Sequence, residues 1–366
     1  MHIAIDARII NSSTGRYIER LLTYLERLNS PHEYSILVRA NDVDYWKPKK
    51  ANFKIVVADY HQYTLSEQIG FYVFLQRLAP DLVHFCMPQQ PLLYHGLAIT
   101  TVHDLNLLRI TENEGMSLPV LKFKQAVFRQ LLRTATKRSA YVITPTQYTK
   151  DDLRSFEPVA EKRVVVTHEA ADLVSKKEEL VERYKGKQFI IVVGRAEKYK
   201  NQEGAIEAHQ ILLQNHPDLH LVIVGKRDLT SRELEEWAHD KGYRQVDFFG
   251  FATDAQLAWL YNHCAAYVFP SFMEGFGLPA LEAMRHGAPV ISSNATCLPE
   301  VLGDAALYFD PANPVQMAQQ IARVLNNANF RRKLIHKGTE QAGKYSWKRM
   351  AQQTLDVYDR ALKKDF

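Results

Sequence analysis

PSFMEGFGLPALEAMRHGAPVISS, residues 270–293, has the pattern of a strand end, a tight glycine turn, a short helix and the next strand. The apolar run before it ends at Phe269 and feeds a loop holding Gly275 and Gly277, and a helix starts near Leu278. Pro279 suits the first helical turn, because its missing N–H would be unpaired there in any case. The N–H groups of Phe276, Gly277 and Leu278 then sit at a helix start, which attracts phosphate. Glu274 lies in the loop and Glu282 on the helix. Two carboxylates there repel a bare phosphate but accept hydrogen bonds from sugar and ribose hydroxyls, so the turn suits a nucleotide-sugar, which offers both. The same residues, Gly275 to Ala280, also fit the dinucleotide pattern G-x-G-x-x-A, with Glu300 about 20 residues on. Against a nicotinamide-dependent oxidoreductase stand the late position of the pattern, the N–H deleted by Pro279 and the negative charge of Glu274.

Outward from this stretch, short apolar or β-branched runs alternate with helical patterns along the chain. HIAID, YSILVR, FKIVV, LVHFC, LAITTVH, AYVITP and RVVVTH form a first series. A second follows the polar stretch Ser175–Lys187: FIIVVG, LHLVIVG, VDFFG, AAYVFP, APVISS and AALYFD. Such alternation predicts α/β architecture with doubly wound parallel sheets. The expected division is an N-terminal Rossmann-like domain over 1–172, a donor-binding domain over 173–345, and a C-terminal segment, 346–366, packing back on the first domain. Within that segment Trp347–Leu362 reads as an amphipathic helix. Two such sheets facing each other would put a site in the cleft between them.

A chain of 366 residues with 46% hydrophobic content is long enough for two cores. Asp6 and Arg8 interrupt the region where a secretory signal needs its apolar stretch, and no apolar run approaches the roughly 18 residues of a membrane span. The expectation is a cytoplasmic protein. Cys86, Cys264 and Cys297 lie far apart beside apolar sequence and read as reduced, structural thiols. A net charge of +5 is too mild to argue for nucleic acid.

Glu274 to Glu282 resembles the Glu-x7-Glu motif of the retaining glycosyltransferases of family 4, which have the GT-B fold. VGRAEKYKN at 193–201, FFGF at 248–251, APVISS at 288–293 and LPEVLGDAALYFDP at 298–311 resemble that family's donor domain in order and spacing. The resemblance runs over residues 188–345. It implies that Glu282 binds the ribose hydroxyls, Glu274 the hydroxyls of the transferred sugar, and the backbone of Gly275, Phe276, Gly277 and Leu278 the sugar and phosphate. Arg195 and Lys200 would grip the pyrophosphate, where fixed cations stabilise the charge that builds as the leaving group departs. The implied reaction retains anomeric configuration by a front-face displacement, with the incoming hydroxyl's proton passing to the leaving phosphate. The implied activity is transfer of a hexose from a nucleotide diphosphate sugar, GDP-mannose ahead of a UDP-sugar. The acceptor is a hydroxyl of a glycan or lipid-linked molecule, in polysaccharide or glycoconjugate biosynthesis. A sugar-nucleotide-binding protein without turnover is a further alternative.

In the first half, Gly15-Arg16-Tyr17 matches the end of the family's Gly-Val-Gly-Arg-Tyr loop, but Ser12, Ser13 and Thr14 precede it. Gly15 is expected to allow close approach of a donor phosphate or acceptor, on equal terms with an ordinary helix start capped by one of those hydroxyls. His103 and Asp104 follow an apolar strand. By the resemblance His103 would sit beside the transferred sugar with Asp104 helping to orient it. Asp42-Val43-Asp44 superficially matches an Asp-x-Asp metal motif but reads as a surface loop, and no metal or other cofactor is expected to be required. Between Gly115 and Lys150 there is no acidic residue, while Lys122, Lys124, Arg129, Arg133, Lys137 and Arg138 are interleaved with Leu118, Val120, Phe123 and other apolar residues. Two readings of 116–138 stand level: a helix in peripheral contact with anionic lipid at the inner face of the membrane, and a core helix with a solvated basic face.

Overall fold

The computed structural model describes residues 1–12, 14–111 and 116–365. Ser13, Gly115 and Phe366, each part of a stretch read above, lie outside the described residues. The chain forms two compact units: Met1–Arg109, Pro119–Glu169 and Ser346–Phe366 make one, and Ile110–Leu118 with Ala170–Tyr345 the other.

The first unit is built on a seven-stranded sheet. Its strands are β1 (His2–Asp6), β2 (Glu33–Val38), β3 (Phe53–Val57), β4 (Leu82–Phe85), β5 (Ala98–Thr101), β6 (Tyr141–Thr144) and β7 (Val164–Val166). All pair in parallel in the order β3-β2-β1-β4-β5-β6-β7. Helices α1 (Gly15–Arg27), α2 (Tyr72–Leu78), α3 (Leu118–Arg138) and α4 (Gln147–Phe156) lie between the strands in sequence, with a π-helical turn, Ser66–Phe71, leading into α2.

The second unit holds β8 (Phe189–Val193), β9 (His220–Val224), β10 (Val246–Gly250), β11 (Ala266–Phe269), β12 (Val290–Ser293) and β13 (Ala306–Phe309). They pair in parallel in the order β10-β9-β8-β11-β12-β13. Its helices are α5 (Gln202–Leu212), α6 (Leu229–Asp240), α7 (Asp254–His263), α8 (Leu278–Arg285), α9 (Leu298–Leu302), α10 (Pro314–Leu325) and α11 (Ala328–Gly343). The last helix, α12 (Trp347–Leu362), belongs to the first unit. There the Tyr358 hydroxyl meets His84 Nδ1 at 2.6 Å and Asp359 meets His32 at 2.8 Å.

Parallel strands covered on both faces need near-continuous apolar sequence. FIIVV of β8 and YVIT of β6 supply it, the latter buried throughout. Helix starts carry local caps: Thr146 for α4, Asp228 for α6, Ser346 for α12, and a reciprocal Thr253–Gln256 box for α7. Strand order reverses between β1 and β4 in the first sheet and between β8 and β11 in the second, and in open α/β sheets ligands bind outside the strand ends at such reversals. Among the described residues no helix is long and apolar enough to cross a membrane.

Candidate active site

The loops after β8 and β11 carry the charged residues singled out in the second half, and they flank that sheet's reversal. The β8 loop starts at Gly194, whose carbonyl lies 2.1 Å from where a Cβ on Gly225 would stand. Only glycine lets these two strand ends approach so closely. Arg195 follows, with a guanidinium more than half exposed and 3.7 Å from Glu197. Lys200 Nζ donates to Glu274 Oε1 at 2.7 Å, joining the two loops through a partly buried ion pair.

The framework behind that pair depends on Asn201, which the sequence reading quoted without assigning a role. Its backbone is left-handed, with φ 54°. Its side-chain amide donates to Pro270 O at 3.0 Å and to Pro311 O at 2.7 Å, tying the loops after β8, β11 and β13 together. Asn tolerates this conformation better than other non-glycine residues, so an Asn just before a helix start is the one signal that could have flagged it. A main-chain bond from Phe272 N to Tyr199 O, 2.8 Å, reinforces the junction.

Glu274 is held through its backbone: its N–H donates to Thr296 Oγ1 at 3.1 Å, and its carbonyl accepts from Cys297 Sγ at 3.2 Å. Burial, with a smaller contribution from the Glu274 charge, pushes the Cys297 thiol well up, so it stays a neutral donor. Gly277 is left-handed at φ 95°, and a Cβ there would meet Leu298 Cδ2 at 2.8 Å. Leu278 and Pro279 then open α8. Phe276 is buried, with its ring edge-on to Tyr345 at 5.6 Å. What Phe276 can offer a ligand is therefore its main chain. Glu282 lies one turn into α8 and is buried, as is Glu274. The structure thus brings Lys200, Glu274, Gly275 and the start of α8 together at one strand-end edge, with Arg195 earlier on the loop that carries Lys200.

In the first unit His103 follows β5, largely buried. Its Nε2 donates to Cys86 O at 3.0 Å, its Nδ1 lies 3.2 Å from Glu169 Oε1, and the ring meets Tyr17 edge-on at 4.8 Å. The carboxylate that orients His103 is Glu169, correcting the role expected of Asp104. Asp104 accepts from the Asn106 N–H at 2.9 Å in its own turn. Adjacent residues leaving a strand point to opposite sides, whereas Glu169 comes in from beyond β7.

A Cβ on Gly15 would lie 1.8 Å from the Ile10 carbonyl, so its bare Cα accommodates the protein's own backbone. The loop doubles back through Ile10 N to Ala7 O and Gly15 N to Ser12 O, and Thr14 makes no side-chain cap. Beside it lies a cluster the sequence did not announce: Arg8 bonds Asp6 at 2.8 Å and Glu67 at 3.0 Å, all three buried, with its guanidinium 3.8 Å above the Phe71 ring. Burial raises the Glu67 carboxyl against the opposing pull of Arg8.

Asp42 accepts from Asn11, and Asp44 pairs with Lys47 at the surface. Among the described residues no group of three or more His, Cys, Asp or Glu is arranged to hold a metal ion. The cysteines are free and buried, and burial pushes the Cys264 thiol up to about 12.

Comparison with known proteins follows the two halves. Residues 14–174 match the model described as Glycosyltransferase Family 4, and 175–341 that of Glycosyl transferases group 1. O-antigen chain mannosyltransferase B of Escherichia coli is 28% identical over 272 residues, 71% of this chain and 70% of that protein. Serotype-specific mannosyltransferase WbdA of Escherichia coli is 35% identical over 179 residues, 48% of this chain but 22% of its own length. Sucrose-phosphate synthase from Thermosynechococcus elongatus superposes with a TM-score of 0.77 at 17% identity, covering 98% of each chain, and shares the GT-B fold.

Proposed function

We propose that this chain, which belongs to glycosyltransferase family 4, transfers a mannosyl residue from GDP-mannose to a hydroxyl of a glycan or lipid-linked acceptor in the assembly of a surface polysaccharide. The single observation that carries the reading is the Lys200–Glu274 pair at the reversal of the second sheet, beside the start of α8. It gathers at one strand-end edge a cation for a diphosphate, a carboxylate for sugar hydroxyls, and main-chain donors at a helix start. The two mannosyltransferase relatives support mannose as the transferred sugar, and GDP is proposed as its carrier.

In this reading the bond between the anomeric carbon and the diphosphate oxygen breaks, and the negative charge gathering on that oxygen is met by Lys200, Arg195 and the N–H groups around Gly277. The acceptor hydroxyl adds from the same face and passes its proton to the departing phosphate, so configuration is retained and no protein base is required. Glu282 holds the ribose and Glu274 the sugar. Within the first unit, Glu169 and Cys86 fix the orientation of the His103 ring.

Calorimetric titration with GDP, UDP, ADP and NAD, with and without a chelator, tests the donor site. GDP binding that survives chelation and weakens in Glu282→Ala is expected. Preference for NAD, or no nucleotide binding by a folded sample, overturns the reading. With GDP-mannose and an acceptor, Lys200→Ala and Arg195→Ala should each lower turnover by about 100-fold or more. A wild-type protein that binds GDP without turnover would be a binding protein only.

A further inference from the structure

Helix α3 does not present the apolar stripe that its sequence offers a membrane. Leu121, Phe128, Leu131 and Leu132 are buried in the first unit, so along most of its length α3 is a core helix with a basic outer face. Its N-terminal end differs: Val120 is 53% exposed and Phe123 71%.

A second apolar row stands on the π-turn and α2. Leu65 is 79% exposed and Ile69 62%, with Val73 next on the same outward side, while Phe71 and Leu75 face the core. Leu93 is also exposed. Side-chain and main-chain contacts hold these segments together. Lys124 Nζ lies 5.7 Å from the centre of the Tyr63 ring, Gln68 accepts from Leu92 N at 2.8 Å, and Arg138 donates to Leu92 O. Neither α3 nor the stretch 87–101 contains an acidic residue, and 61–77 contains only Glu67, which is buried against Arg8. On the outer side of α3 a hollow of about 320 Å³ is lined by Lys122, Arg129 and Arg133, the last of them paired with Glu157.

Among the described residues cations outnumber acids around these exposed aliphatic and aromatic side chains, Glu157 paired with Arg133 being the acid on that face, and the combination matches the two layers of an anionic bilayer surface: acyl-chain boundary below, phosphate headgroups above. A second copy of the chain would suit the apolar residues but would set like charges against each other. We propose that Leu65, Ile69, Val73, Leu93, Val120 and Phe123 dock on a bilayer of anionic lipid, with Lys122, Arg129, Lys137 and Arg138 meeting its phosphates. The anchoring is interfacial and takes three separate chain segments.

Flotation of the full chain with phosphatidylcholine vesicles, and with vesicles of equal parts phosphatidylcholine and phosphatidylglycerol, tests this. Binding to the anionic vesicles alone, falling as salt rises, is expected. Ile69→Ser and Phe123→Ser should each weaken it about tenfold, and Lys122→Glu with Arg129→Glu by about tenfold or more. All should keep the wild-type circular dichroism, melting temperature and nucleotide affinity, so loss of vesicle binding is separable from loss of the donor site. No flotation of the wild type, or flotation indifferent to salt and to both serine variants, overturns the proposal. So does a dimer in light scattering that Phe123→Ser dissociates, which would give the face to a second copy.

Discussion

At the reversal of the second sheet the facing charges, Lys200 and Glu274, keep 22% and 10% of their side-chain surface exposed. At the reversal of the first sheet β1 ends in Asp6 and Arg8 follows two residues on, 1% exposed, with its second partner, Glu67, fully buried. Both places put charged residues just beyond a parallel strand, where ligands of such sheets bind. Lys200 remains reachable by a ligand, while Arg8 and Glu67 are covered by the π-turn and Phe71; Asp6, 8% exposed, matches Glu274. A charged residue after a strand therefore signals chemistry only when the fold leaves its atoms accessible. Glycine divides the same way. Gly277 shapes the helix start that bears the candidate phosphate donors, whereas Gly15 makes room for the Ile10 carbonyl.

The sharpest way to break this contrast is Arg8→Met. If the first cluster is structural, the variant leaves two buried carboxylates without their cation and should lose about 3–5 kcal/mol in chemical denaturation. Adding Glu67→Gln should recover part of that loss. Normal stability with impaired turnover would instead make Arg8 part of a site. Gly15→Ala comes next: forcing a methyl group against a main-chain carbonyl should cost about 1–3 kcal/mol while leaving nucleotide affinity unchanged. A stable Gly15→Ala protein with weakened nucleotide or acceptor binding would support the ligand-loop reading.

A pH-dependent effect is expected at His84, buried between Tyr358 and Thr101. Burial, with a smaller push from His103, lowers this ring from 6.5 to about 3. Between those values the unfolded chain takes up a proton that the folded chain refuses. The stability His84 contributes is therefore complete above pH 6.5 and falls with acidification toward pH 3, by about 1.4 kcal/mol per pH unit. Melting followed across that window should show a shallower acid slope in His84→Gln. An unchanged slope would mean that the folded ring accepts the proton.

Twelve of the thirteen described strands fall within the apolar runs read from the sequence and β2 starts one residue before its run, at Glu33; α8 and α12 begin where Pro279 and Trp347 placed them. These features are local: periodicity, β-branching and caps act over a few residues. The apolar stripe of α3 was equally visible, but whether it faced lipid or core depended on what the rest of the first unit placed against it. The Glu274–Gly277–Glu282 constellation was legible because its members share one turn and one helix. Lys200 was legible as a cation but not as the partner of Glu274, which lies 74 residues away. Glu169 was passed over for Asp104 because 66 residues separate it from His103, and Glu67 stands 59 from Arg8. The sequence by itself determined the two parallel-sheet domains and the chemistry available at their strand ends. Which side chains meet, which charges are sealed and which stay reachable was decided only by the tertiary structure, because those pairings arise where the sheet order brings distant strand ends side by side.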